Sequence, residues 1–296
     1  MQLLLGTVLL SWLLHSVLFI PFIQLLYHIR MQRLRQVTRD TFNKRTPLFD
    51  KFHRHKAGTP VGGGLLIILL TTILLPVILL LMYYFWIPIT SVYPLASEVK
   101  ILLFTFVSFG LLGLLDDTKK TFAWVKNDFF GLRLRHKLIL EILLAGIIGF
   151  WLVHDLKIGI FHVPLLGVFH LGWFYIPFAV FVIIAFANAF NITDGLDGLS
   201  AGVLVIALFA FWFLSASILD TVLSVFLALW IGGVLLTGGA GSVIGIVFGT
   251  LTFAIVNQGI FYSGLDPNFG SIIIGALLLA AVLSNDKFRT LALSYA

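Results

Sequence analysis

Long apolar runs alternate with short polar ones along nearly the whole chain. The first, "LLLGTVLLSWLLHSVLFIPFIQLLYHI", is followed by runs at 62–86, 100–115, 138–153, 172–190, 199–217, 220–237, 243–262 and 269–285. Each is near the ~20 residues that a helix needs to cross a bilayer. The pattern therefore predicts about nine transmembrane helices, with backbone polar groups satisfied inside each span. The polar interruptions at 190–199 and 217–220 are the shortest. The first run is too long for a signal-peptide core and lacks a small-residue cleavage site, so it reads as a retained span. The fold class expected is all-α and polytopic.

Composition sharpens this picture. The chain has 296 residues, of which 60% are hydrophobic and only 11% charged, and its mean hydropathy is +1.08. Soluble domains carry about 25% charged residues. There is no cysteine, which excludes disulfides and thiolate metal sites.

Charge then orients the spans. All but two of the 19 lysines and arginines fall in the loop 29–61, the loop 116–137 or the tail at Lys287 and Arg289; the exceptions are Lys100 and Lys157. With nine spans and the N-terminus outside, those three segments share one side, which the positive-inside rule makes cytoplasmic. The C-terminus is then cytoplasmic too. Topology and attraction to anionic lipid account for the net charge of +6, and nothing in it suggests nucleic acid.

The 13 acids are too few to be scattered without consequence. "GLLGLLDDTKK" ends the third span with Asp116 and Asp117, ahead of Lys119 and Lys120. Adjacent carboxylates at a membrane boundary repel unless a cation intervenes; a divalent ion would serve, and so would the neighbouring lysines alone. "NAFNITDGLDGLSAG" at 188–202 spaces Asn188, Asn191, Asp194 and Asp197 every three residues, which on a helix would put them on one face. A pair of Asp-Gly turns explains the two aspartates but not the asparagines. "HRHKAGTPVGGG" at 53–64 sets Lys56 and Thr59 beside glycines whose exposed backbone can approach a phosphate, although glycine runs also allow close helix packing. His53 and His55, alternating in a basic loop, read as solvated rather than metal-binding. Carboxylates for Mg²⁺, lysines for phosphate and amides for a base or sugar together suit the movement of a phosphorylated group from a soluble nucleotide onto a membrane lipid.

"KAGTPVGGG", "GLLDDTKK…GLRLRHK" and "YIPFAVFVIIAFANAFNITDGLDGLSAG" closely resemble the phospho-N-acetylmuramoyl-pentapeptide transferases, within the polyprenyl-phosphate N-acetylhexosamine-1-phosphate transferase superfamily. The likeness runs from about residue 20 to about 230. It implies an all-α enzyme of the bacterial inner membrane, active on the cytoplasmic face, that uses Mg²⁺ to move phospho-MurNAc-pentapeptide from UDP to undecaprenyl phosphate, giving lipid I. By motif, Asp116 and Asp117 would handle lipid-phosphate activation and metal, with Asp117 as the metal residue, and Lys120 would stabilise phosphate charge. Asn188, Asn191, Asp194 and Asp197 would line the nucleotide end of the cleft, near Lys56 and Thr59. A glycan-initiating relative using another UDP-sugar is the nearest alternative, and a homodimer is an expectation carried by the resemblance alone.

The pattern departs from the family further on. A "GDxGSLxLG" loop, whose aspartate binds Mg²⁺ in the family, is replaced in register by "TGGAGSVIG", with Gly239 in the aspartate's place. No histidine follows His170, so a later His-rich loop is missing, and a tenth span is not expected. Residues 232–295 resemble instead the C-terminal end of ribose/xylose-type sugar ABC-transporter permeases, which suggests a chimera of a transferase-like domain, 1–231, and a permease-like segment, 232–296. The expectation is a transferase architecture with weakened turnover; a non-catalytic membrane protein and a permease fragment are the rival readings.

Overall fold

The computed structural model describes residues 2–32, 58–121, 134–163, 166–193 and 199–237, all within one compact unit, Met1–Gly239. Seven helices carry it: α1 (Gln2–His28), α2 (Gly64–Tyr84), α3 (Leu95–Thr121), α4 (Leu134–His154), α5 (Tyr175–Thr193), α6 (Leu199–Ser217) and α7 (Thr221–Thr237). The first six are long and apolar enough to cross a membrane, and α7 is a shorter apolar helix. The predicted runs up to 237 thus become helices in the expected order. The two further runs, 243–262 and 269–285, lie outside the described residues. The boundary expected between 231 and 232 falls inside the unbroken α7.

The helix α7 forms the centre. Its sequence is apolar all round, as a helix surrounded by others must be, and Val222, Val225, Ala228, Leu229 and Ile231 are fully buried. It packs against α1, α2 and α6. Small residues bring α1 close: a Cβ on Gly232 would stand 2.6 Å from Ser11 Cβ and 2.8 Å from the Trp12 backbone nitrogen. At that approach Ser11 Oγ donates to the Leu229 carbonyl at 2.6 Å. Backbone proximity and a side-chain hydrogen bond replace the hydrophobic effect, which gives no preference for helix over lipid.

Contacts define the two ends of the bundle. At one end Gly62, with φ +89°, lets the chain turn into α2 against α1 and α3; a Cβ there would meet Met31 Cε at 2.7 Å and Leu114 Cδ1 at 3.7 Å. At the other end the 85–94 connection is stitched to the start of α7. The Thr221 N–H donates to the Thr90 carbonyl at 2.9 Å, and Ser91 Oγ donates to the buried Glu98 carboxyl. Lys100 pairs there with Asp155 and lies 4.4 Å from the Trp151 ring centroid. The two basic residues set apart by sequence, Lys100 and Lys157, both lie at this second end.

One element departs from the all-α expectation. Between α4 and α5 a two-stranded antiparallel hairpin pairs β1 (Ile160–Val163) with β2 (Gly167–His170). Four-residue strands with apolar residues on both faces give no alternation to read.

Candidate functional site at one end of the bundle

Asp116 and Asp117 lie in the last two turns of α3, which continues through the "DDTKK" motif to Thr121. Asp116 and Lys119 stand three residues apart, a spacing of opposite charges that suits a helix. Both residues are half-buried. They sit near the negative pole of the helix dipole, where an acid costs about 0.3–1 kcal/mol and a cation is favoured. Acids held in such a place need positive charge close by.

Basic groups at the same end are Lys119 and the start of α4. The first turn of α4 has no acid and carries Arg135, His136 and Lys137, adding side-chain cations to the positive pole of that helix. A shallow depression between the two helix ends is lined by Lys119, His136, Ile139 and Leu140. It presents two basic groups beside two aliphatic ones. Thr59 is exposed on the segment that leads through Gly62 into α2, on the side of Leu114 of α3.

Asn188 faces inward from α5. Its Nδ2 donates to Glu141 Oε2 on α4 at 2.7 Å and to the Ile184 carbonyl at 3.0 Å. Glu141 is 2% exposed, and Lys137 Nζ lies 3.8 Å from its other oxygen. Both amide hydrogens of Asn188 are therefore committed within the protein. Asn191, one turn on, is exposed.

Thr59, Asp116, Asp117, Asn188 and Asn191 thus gather at the same end of the helices, on three segments that the sequence separates widely. Lys56, Asp194, Asp197 and Gly239 lie outside the described residues, as does the side chain of Lys120. Glu141 was not singled out from the sequence. The signal was available, since a lone carboxyl inside the apolar run "LILEILLAG" is costly unless it is used or paired.

Among the described residues no cluster of three or more metal-ligating side chains occurs. Mg²⁺ does not need one: it keeps several waters and is held by one or two carboxylates together with substrate phosphates. Asp116 and Asp117 supply the hard oxygen donors that such binding calls for.

Comparison with known proteins shows the family. A phospho-N-acetylmuramoyl-pentapeptide-transferase of Clostridium novyi is 32% identical over 185 residues, 62% of this chain and 52% of the relative. That of Streptococcus pneumoniae strain D39 is 36% identical over 164 residues, 54% and 44% of the two chains. The enzyme of that name from Caldanaerobacter subterraneus is 38% identical over 135 residues, 46% and 42%. The chain spans about half the length of these curated relatives. The likeness of 232–295 to sugar permeases finds no support, because a single family match, to a glycosyl transferase, runs on through residue 286 and across most of that segment. With residues 99–286 matching that description, the chain belongs to glycosyl transferase family 4.

Proposed function

We propose that the protein transfers phospho-MurNAc-pentapeptide from UDP to undecaprenyl phosphate at the cytoplasmic face of the bacterial inner membrane, forming lipid I for peptidoglycan synthesis. The observation that carries this reading is the position of Asp116 and Asp117 in the last turns of α3, beside the basic start of α4. The named function of the relatives and the excess of basic residues in the stretches 29–61 and 116–137 of the sequence support it.

The chemistry asks for a phosphate oxygen of the lipid to attack the sugar-bound phosphorus of the nucleotide diphosphate. One phosphorus–oxygen bond forms, the diphosphate bond breaks, and UMP leaves. Lys119 and His136 would hold the lipid phosphate, with Ile139 and Leu140 beside them to receive the first part of the polyprenyl chain. An aspartate of the pair takes the proton from the lipid phosphate, directly or through water. Asp116 and Asp117 would also hold Mg²⁺, which when bound neutralises diphosphate charge. Glu141 and Asn188 tie α4 to α5, which would hold Asn191 in a fixed position toward the nucleotide.

Gly239 in the place of the family's aspartate lowers the expected rate, because one electrostatic contributor to a transition state is commonly worth about 10²–10³-fold. The test is UMP release by purified protein given UDP-MurNAc-pentapeptide, undecaprenyl phosphate and Mg²⁺. Slow release that Asp117→Asn abolishes and Gly239→Asp accelerates is expected. Release indifferent to Asp117, or failure of both the parent chain and Gly239→Asp to bind the UDP-sugar, would refute the proposal.

A further inference from the structure

The hairpin at the end opposite the candidate site exposes more apolar surface than a short water-facing ribbon tolerates. Register places Phe161 opposite Phe169 on one face, and pairs Ile160 with His170 and His162 with Val168 on the other. Phe169 is 47% exposed and Leu166, beside the turn, 74%. An isolated two-stranded hairpin is marginally stable in water, and large exposed apolar patches mark interaction surfaces.

Its position identifies the partner. The Leu171 and Gly172 N–H groups donate to the Gly159 carbonyl at 2.8 and 3.0 Å, closing the base of the hairpin against the start of α5. The Phe161 ring then lies 4.7 Å from that of Phe178, in the first turn of α5 and inside its apolar span. The aromatic face is therefore held level with the start of a membrane-crossing segment and does not project away from it. Trp173 and Phe174 on the same connection are largely exposed, as are Tyr83, Tyr84, Phe85 and Trp86 at the same end of α2. Aromatic side chains collect in this way at a membrane–water boundary.

We infer that β1–β2 is an interfacial anchor, with Phe161 and Phe169 set into the headgroup–acyl boundary of the phospholipid leaflet and His162 and His170 turned to water. The absence of cysteine allows single nitroxide labels on the full chain in phosphatidylcholine–phosphatidylglycerol vesicles. Labels at Phe169→Cys, Leu166→Cys and His162→Cys would be compared with Phe181→Cys on the exposed middle of α5 and Lys157→Cys. Collision with oxygen, which concentrates in lipid, is measured against collision with a water-soluble nickel chelate. The expected oxygen-to-nickel ratio at Phe169→Cys is several-fold above those at His162→Cys and Lys157→Cys, approaching that at Phe181→Cys. Leu166→Cys gives the same reading if Phe169→Cys fails to fold. Ratios equal to that at Lys157→Cys would overturn the inference. So would exclusion of both collision partners with dipolar broadening, which would mean a second copy covers the face.

Discussion

Asn188 on α5 donates to Glu141 on α4 across 2.7 Å, a buried polar link between two membrane-crossing helices. Removing the donor with Asn188→Ala leaves a buried carboxyl oxygen short of a partner, at a cost of about 1–3 kcal/mol. Asn188→Asp is expected to be worse, because two carboxyl groups then face each other. Adding Glu141→Gln to Asn188→Asp restores a donor and an acceptor in reversed order, so the double variant should recover most of the loss. Thermal unfolding in detergent of the parent chain, Asn188→Asp, Glu141→Gln and the double variant gives the coupling directly. Additive losses would show that the two residues do not depend on each other.

Close approach of α1 and α7 rests on a missing side chain. At Gly232 a Cβ would meet the Trp12 backbone nitrogen at 2.8 Å, and backbone cannot swing aside as a side-chain tip can. Gly232→Ala should therefore push the helices apart, lengthen the Ser11–Leu229 hydrogen bond and cost about 1–3 kcal/mol. Gly202 on α6 has open space where its Cβ would go. Gly202→Ala should be neutral or stabilising by up to about 1 kcal/mol, the propensity difference within a helix. Equal effects of the two substitutions on thermal stability would contradict this account.

The spans were legible because a bilayer demands length and apolarity together, and runs such as 62–86 and 172–190 supply both. Their ends were less so. The third run stops at 115, whereas α3 continues to Thr121, because a polar segment with no proline or glycine, such as "DDTKK", can extend a helix without extending its apolar run. Asp116 and Asp117 stood out because charges are rare in this chain, but the partner of Asn188 did not. Glu141 and Asn188 are 47 residues apart, and only packing of α4 on α5 joins them. The hairpin failed for another reason: in "IFHV" and "GVFH" both faces carry apolar residues, so no period distinguishes strand from loop.

Asp220 holds the start of α7. Its Oδ1 accepts the Leu223 N–H at 3.0 Å, three residues into the helix, as an N-cap side chain does, and its Oδ2 receives the Val92 N–H at 3.4 Å. Asp220→Ala should cost about 1 kcal/mol and loosen the 85–94 connection. Asp220→Asn keeps an acceptor oxygen and should cost less. Amide hydrogen exchange at Leu223 and Val92, faster in the first variant than in the second, is the check.

Asp155 joins α4 to α3 through Lys100 and accepts His154 Nδ1 at 2.7 Å when that ring carries the proton there. Hydrogen bonding from Lys100, then from His154, holds its carboxyl below the usual aspartate value. A carboxyl whose pKa is depressed on folding binds fewer protons in the native state than in the unfolded one, so stability rises with pH across the interval between the two values. The contribution is therefore complete above about pH 4, the unperturbed aspartate value, and disappears as pH falls through the lower folded-state value. The pair is near the surface, so its effect should be small and weakened by salt. Asp155→Asn should lower thermal stability slightly at pH 7 in low salt, with the gap to the parent chain closing in acid. A gap that persisted below the titration of Asp155 would mean that the side chain acts through packing and not through its charge.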